Sequence, residues 1–377
     1  MNIKAIEPIA ISLPMQKPVQ MAGETVARAD NVLLRIESDD GVVGWGEAAS
    51  APLMTGETVA GMMAAVEHLT PGLLNRGADD FAGAAAAMDA RLYGNTGAKA
   101  AIETALYDLV GRATGRPVYA LLGKRQRSRM PVLAVIGTAD AAADVREARE
   151  RFATGYRAFK IKVGLSSALA DAERTRSICI ALKALRGEGE ACLVSADANQ
   201  GFSVEDALAY VRTLGACGLD FFEQPVDAHD IDGMVRAAAV SRVPIGADEG
   251  IHSLNDIARH HERHAAHGVS LKAIKLGGLR AAFEASRLCE RLGMKVNISC
   301  KTGETSIASA AAAHVAAAAP AIDWGLTVTN LGLAEDVAVE PLAVVHGYVE
   351  APDRPGLGIE VDERRVRRRQ QEFKRVA

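Results

Sequence analysis

From about residue 130 the chain alternates between two patterns. Short apolar runs (MPVLAVIG, AFKIKVG, CLVSADANQG, LDFFEQPV, VPIGADEG, SLKAIKLGG, KVNISCKTG and IDWGLTVTN) have the length and β-branched content of buried strands. Between them lie stretches with helical spacing, among them ADVREARERFATG closed by Gly155, Ala168 to Arg186, SVEDALAYVRTLGACG, and an Ala-rich segment from Thr305 to Ala318. Ser203 and Asp206 suit the first turn of their helix. Eight strands alternating with seven helices predict a parallel sheet. A period of about 25 residues, with all eight strands in roughly 200, fits a closed barrel better than an open sheet. The Gly-rich phosphate loop of a doubly wound sheet, GxGxxG, is absent.

Residues 1–125 read differently. NVLLRIESDDGVVGWGEAA is a hairpin turning at SDDG, followed by helices near Thr58–Leu74 and Gly97–Thr114. The expectation is an α/β chain: an α+β domain over 1–125, completed by about 345–377 through the turn-rich DRPGLGIEVD, and a barrel over 126–344.

Composition narrows the function. Of 377 residues 49% are hydrophobic but only 4% aromatic, so Ala, Val, Leu and Ile must build the core. A net charge of −4 argues against nucleic-acid or membrane-surface partners, and the terminal RRVRRRQQEFKRVA reads as a solvated helix. SIASAAAAHVAAAAPAI carries a His and a Pro and is too Ala-rich for a membrane span, and MNIKAIEPIAISLPM lacks the apolar core of a signal peptide. Five cysteines without a CxxC pair suit reduced thiols in a cytoplasmic protein.

FKIKVG carries the first chemical clue. Alternation puts Lys160 and Lys162 on one face of a strand, and two adjacent ammonium groups near a core need a reason. In a parallel barrel, charged residues at the carboxyl ends of the strands share one mouth. Those ends read Lys160 and Lys162, then Asp197 and Asn199, Glu223, Asp248 and Glu249, and Lys272 and Lys275. Asp197, Glu223 and Asp248 come from three consecutive strands. Their mutual repulsion is relieved by a hard divalent cation, and oxygen ligands favour Mg²⁺ or Mn²⁺ over zinc. The alternative is that each acid caps a helix or pairs with a rim lysine. A cationic neighbour and a metal would depress the pKa of Lys162 toward what a general base needs, with Lys160 binding a substrate anion.

Together KIKVG, DANQG, EQP, ADEG and LKAIKLGG resemble the enolase superfamily, within it the muconate-lactonizing-enzyme subgroup. GWGEAA, AAIETALYDLVGRATGRPVYALLG and PGLGIEVDE extend the resemblance over nearly the whole chain. It implies a (β/α)7β modified TIM barrel under an N-terminal capping domain, and Mg²⁺ on Asp197, Glu223 and Asp248. Lys162 and Lys272 become the acid/base pair on opposite faces of a bound small-molecule carboxylate, Lys272 being preferred to Lys275 on the family spacing. Lys160 would contact the carboxylate, with Asn199, Glu249 and Glu304 as supporting groups. Gln16–Thr25 and Ala49–Thr58 correspond to the loops that close on the substrate. The resemblance also implies a homo-oligomer.

The reaction stays open between racemisation or epimerisation, dehydration and cycloisomerisation; a ligand-binding member without catalysis is the distant alternative. The acidic pair DxD of dipeptide epimerases is missing after the last strand, where Asp323 stands alone. SCKTGETSIASA replaces the subgroup's SMxE pattern and is similar to the stretch in cis-3-hydroxy-L-proline dehydratases, which makes an amino-acid derivative of the proline type the first substrate to consider. Cys300, Lys301, Thr302 and Trp324 are candidate specificity residues, Cys300 being read as a small packed side chain and not a nucleophile, and packing being at least as good a reading of Trp324. In RHHERHAAHG, His260, His264 and His267 share a helical face that reads as solvated, and His314 reads as core.

Overall fold

The computed structural model describes residues 1–21, 24–187 and 189–376. The chain opens with an antiparallel sheet of β1 (Ile3–Met21), β2 (Glu24–Ser38) and β3 (Val43–Ala49), in that order. The SDDG hairpin is present, with Gly41 at φ +84 closing the turn. The length of β1 was not legible, because Pro8, Pro14 and Pro18 interrupt it. An edge strand tolerates them, and the register slips between Pro14 and Val19.

The helix Thr96–Thr114 lies across this sheet. GWG explains how closely: a Cβ on Gly46 would stand 1.9 Å from the Ala101 carbonyl oxygen, and one on Gly44 2.2 Å from that of Ala105. From the same helix Asp108 accepts from Trp45 N at 2.9 Å and Leu357 N at 2.7 Å, so one buried carboxylate ties sheet, helix and C-terminal tail together. A helix at Phe81–Arg91 went unanticipated; FAGAAAAMDAR shows little amphipathic contrast, and Asp80 caps it by accepting from Gly83 N.

β4 (Arg129–Pro131) pairs with β13 (Tyr348–Glu350), which brings the tail back beneath the barrel. The barrel strands follow in order: β5 (Leu133–Ile136), β6 (Ala158–Lys162), β7 (Leu193–Asp197), β8 (Phe221–Glu223), β9 (Ile245–Ala247), β10 (Gly268–Leu271), β11 (Lys295–Ser299) and β12 (Leu326–Thr327). Each is parallel to its neighbour, and a bridge between Val132 and Leu326 closes the ring. The intervening helices begin at side-chain caps from Ser167, Ser203, Asp230 and Ser253. The sixth run differs from expectation: β10 stops at Leu271, and Lys272 caps a single helical turn, Ala273–Leu276, so Lys275 rides on that turn. Among the described residues no helix is long and apolar enough to cross a membrane.

The two sheets' units meet through buried carboxylates. Glu103 of the Thr96–Thr114 helix accepts from Arg280 N at the amino end of the helix Leu279–Leu292. Burial pushes its carboxyl from 4.5 up to about 7. The folded protein therefore holds a proton there that the unfolded chain has already lost, and stability falls as pH rises from 4.5 through about 7. Glu103→Gln keeps the acceptor without the charge. It should match the wild type in urea unfolding at about pH 4 and exceed it at about pH 8 by on the order of 1–3 kcal/mol. A difference that does not change with pH would refute the assignment.

Candidate active site

Register brings the predicted residues together. Lys162 of β6 pairs with Asp197 of β7, and Asp197 with Glu223 of β8, while Asp248 follows β9 directly. All are buried and point into the carboxyl end of the barrel. Lys162 Nζ donates to Asp197 Oδ2 at 2.7 Å and to Asn199 Oδ1 at 2.6 Å. Lys160 Nζ lies 2.6 Å from Glu223 Oε2 and 3.7 Å from Asp197 Oδ2. Lys272 pairs with Asp248 Oδ2, and Lys275 donates to Asp248 Oδ1 at 2.6 Å.

The electrostatics are reciprocal. Burial pushes the Asp197 carboxyl up, but Lys162 and Lys160 outweigh it and hold it below the usual range. Burial does the same to Asp248, where Lys272 and Lys275 prevail more strongly. For Glu223 burial wins over Lys160 and the carboxyl is raised. Burial lowers Lys160 and Lys272, yet the facing carboxylates, Glu223 foremost for Lys160 and Asp248 for Lys272, leave both above the ordinary lysine value. The pairing of each acid with a lysine, weighed above as the alternative to a metal site, is what these distances show.

Several supports were not singled out in the sequence. Arg174, buried between Asp144 and Asp171, donates to the Lys162 carbonyl and fixes the end of KIKVG. Gln224 accepts from Asp248 N at 2.9 Å and so seats that acid's backbone. Asn199, Gln200 and Gln224 adopt positive φ of 41, 69 and 34°, a concentration of strained backbone of the kind found at functional sites. Asn199 bridges Lys162 to Glu249, donating to Glu249 Oε1 at 3.0 Å, and burial followed by Asp248 pushes Glu249 up to about 7.

These groups open into a cavity of about 520 Å³. Lys160, Lys162, Asp197, Asn199, Asp248, Glu249 and Lys272 line it, as do Cys300, Lys301 and Thr302. The N-terminal domain contributes Gln16, Lys17, Val19 and Gln20 of β1 from one expected closing segment and Leu53 and Met54, beyond β3, from the other; residues 22 and 23 lie outside the described residues. One lining residue had escaped notice: Thr327 is 6% exposed and its Oγ1 has no hydrogen-bond partner.

Two candidates fall elsewhere. Glu304 does not line this cavity; it folds back to accept from Lys301 N at 2.8 Å and borders a separate void of about 30 Å³. Trp324 is not substrate-facing. It stacks on Phe221 with ring centroids 4.1 Å apart, and its ring fills the space left by Gly246 and Gly268, where a Cβ would come within 3.0 and 2.5 Å of it. It plugs the amino end of the barrel. The histidine face also dissolves: its helix ends at Glu262, His260 is buried, and His267 Nδ1 accepts from Ile245 N. His314 is core, between Tyr119 N and the Leu357 carbonyl.

The acids suit a hard divalent cation. They offer only oxygen donors from adjacent strands, and Glu223 Oε2 is buried without a hydrogen bond of proper geometry despite the nearby Lys160. Among the described residues no three acidic, His or Cys side chains stand close enough to form a finished metal centre. Asp197 and Asp248 are instead each drawn to an amine.

Comparison with known proteins agrees with this architecture. Residues 6–123 match the mandelate racemase / muconate lactonizing enzyme N-terminal domain, and residues 143–365 the enolase C-terminal domain-like family. The chain belongs to the muconate-lactonizing-enzyme subgroup of the enolase superfamily and is an enzyme, of a family that contains racemases, epimerases and cycloisomerases. It is 31% identical to the N-succinyl-L-Arg/Lys racemase of Bacillus cereus, with 96% of each chain covered. It is 33% identical to a chloromuconate cycloisomerase of Cupriavidus pinatubonensis (95% of this chain, 96% of the other) and 32% to the L-Ala-D/L-Glu epimerase of Clostridium acetobutylicum (96% and 99%). Among solved structures, that of the B. cereus racemase superposes with TM-score 0.91 at 30% identity over 98% of both chains. The muconate lactonizing enzyme of Pseudomonas fluorescens with muconolactone gives 0.91 at 31%, over 98% and 99%.

Proposed function

We propose that the protein is a divalent-metal-dependent racemase or epimerase of a small amino-acid derivative, using Lys162 and Lys272 to remove and return the proton α to a carboxylate. One observation carries the reading. Lys162 ends the second of eight barrel strands and Lys272 follows the sixth, so the two amines stand across the ring from each other, with the three acids on the strands between. A planar intermediate held there has an amine on each face, which is what 1,1-proton transfer requires. Asp197, Glu223 and Asp248 would hold Mg²⁺ or Mn²⁺, which when bound engages the carboxylate and offsets the developing negative charge. Lys160 adds a fixed positive charge on the same side, and Asn199 orients Lys162.

The far end of the substrate meets Thr327, Thr329, Val328 and Leu331 instead of an acid pair, which suits a neutral polar group such as an acyl amide. Thr327→Val should therefore raise KM about 5- to 10-fold, the worth of one hydrogen bond, with kcat nearly unchanged. An unchanged KM would remove Thr327 from substrate recognition.

Cycloisomerisation is the second reading, favoured by the likeness to the muconolactone-bound enzyme. A substrate with a β-hydroxyl, such as 3-hydroxyproline, would lose water from the same intermediate, although none of the relatives named above carries that activity. Proton NMR in D₂O with Mg²⁺ and a panel of acyl amino acids, dipeptides, proline derivatives and muconate separates the outcomes. Deuterium at the α-carbon with loss of optical purity supports racemisation. Conversion of muconate to a lactone that carries one solvent deuterium α to its carboxylate, with no exchange in the amino-acid derivatives, would replace it with the second reading.

A further inference from the structure

Asn31 of β2 and Glu47 of β3 take no part in the chemistry above, yet both are buried and reach out of their own sheet into the barrel. Asn31 Nδ2 donates to Glu47 Oε1 at 2.7 Å and to the Gly303 carbonyl at 2.9 Å. Glu47 accepts from Thr305 N at 2.9 Å, Thr305 Oγ1 at 2.7 Å and Ala308 N at 3.1 Å, where the helix Ser306–Ala318 begins. Gly303 approaches β2 closely: at φ +91, a Cβ there would stand 2.7 Å from that of Ala29. Three consecutive cavity-lining residues, Cys300, Lys301 and Thr302, lead directly into this gripped turn. Two residues past Glu47, β3 ends at Ala49 and the chain enters the segment that brings Leu53 and Met54 to the same cavity.

We propose that Asn31 and Glu47 are positioning residues that clamp the Cys300–Thr305 turn to the N-terminal sheet and so set the distance between two walls of the substrate cavity. The inference rests on the reading of that cavity as the substrate site. The hydrogen bonds given above to Glu47 all come from donors, Asn31 Nδ2, Thr305 N, Thr305 Oγ1 and Ala308 N, so its side chain is held as an acceptor at the amino end of a helix. Burial, then Glu304, push its carboxyl up to about 8, while the Thr305 and Ala308 donors pull it down. Without the clamp the turn keeps its bonds from Lys301 N to Glu304 and from Thr329 Oγ1 to the Lys301 and Glu304 carbonyls, but loses the hydrogen bonds that Asn31 and Glu47 make to it across the domains.

Glu47→Ala, Glu47→Gln and the milder Asn31→Ala would be compared with the wild type. Hydrogen–deuterium exchange followed through peptides spanning residues 300–308 should speed up about 10-fold or more in Glu47→Ala and less in Glu47→Gln, which keeps an acceptor. With an active substrate, KM should rise about 10-fold while kcat stays within about 3-fold, because the lysines and acids are untouched. Unchanged exchange in this turn would overturn the proposal. So would a lowered melting temperature accompanied by wild-type KM and kcat, the signature of a merely structural contact. The exchange measurement needs no substrate, so it decides the clamp even if the wild type turns over nothing in the panel, a result that would count against the proposed function alone.

Discussion

Lys162→Ala and Lys272→Ala are each expected to reduce racemisation by at least about 10³-fold while the protein stays folded, since proton transfer by a positioned base is worth roughly 10²–10⁴ and neither lysine can substitute for the other across the ring. Folding should survive because no acid is stranded. Without Lys162, Asp197 still accepts from Asn199 N at 2.9 Å and faces Lys160; without Lys272, Asp248 keeps Lys275. The two variants should nonetheless differ from a dead enzyme. Each retains the amine on one face, so each should still exchange the α-proton of one enantiomer with D₂O and not that of the other, with opposite preferences. Circular dichroism checks the fold and chiral NMR the exchange. Wild-type turnover in either variant, or loss of exchange from the same enantiomer in both, would refute the two-base assignment.

The second large effect concerns Glu223, the middle acid of the three. It is 1% exposed; its Oε1 accepts from Ser270 Oγ at 3.0 Å, and its Oε2 stands 2.6 Å from Lys160 Nζ, which lines the cavity. Glu223→Gln preserves size and the serine contact but removes the charge. Electrostatic stabilisation by a bound divalent ion is worth several kcal/mol, so activity should fall by on the order of 10³-fold or more. Chelation of the wild type should do the same and be reversed by added Mg²⁺. An independent readout is thermal: an ion at 100 times its dissociation constant stabilises the fold by about 2.7 kcal/mol. The wild type should show a Mg²⁺-dependent rise in melting temperature that Glu223→Gln lacks. Activity that survives exhaustive chelation would remove the metal from the mechanism.

Much of this was readable before any coordinates, for an identifiable reason. Period-two alternation and strand order in a parallel barrel are properties of the chain itself, so Lys160, Lys162, Asp197, Glu223 and Asp248 could be assigned to one mouth from spacing alone. What failed depends on contacts between distant segments. β1 was hidden by prolines that only an edge position explains. For Trp324 the sequence left packing and substrate contact both open, and only Gly246 and Gly268 on other strands, which leave the space it fills at the opposite end, decide for packing. Glu304 lies beside the cavity-lining residues in sequence and its side chain turns back on its own loop, where it still feels the charge of Lys272, so its supporting role does not depend on a place in the lining. Thr327 gave no signal, since an ordinary threonine becomes noteworthy only when its hydroxyl is buried and unpartnered. The clamp of Asn31 and Glu47 likewise joins positions more than 250 residues apart in the chain.

The Trp324–Phe221 stack also bears on traffic. With an indole wedged against two glycine backbones at the base, the amino end of the barrel is filled by packed side chains. The opposite, carboxyl end is bordered by Gln16–Gln20 of β1 and by Leu53–Met54 beyond β3. The side open to exchange with solvent is thus the one bordered by Gln16–Gln20 and Leu53–Met54.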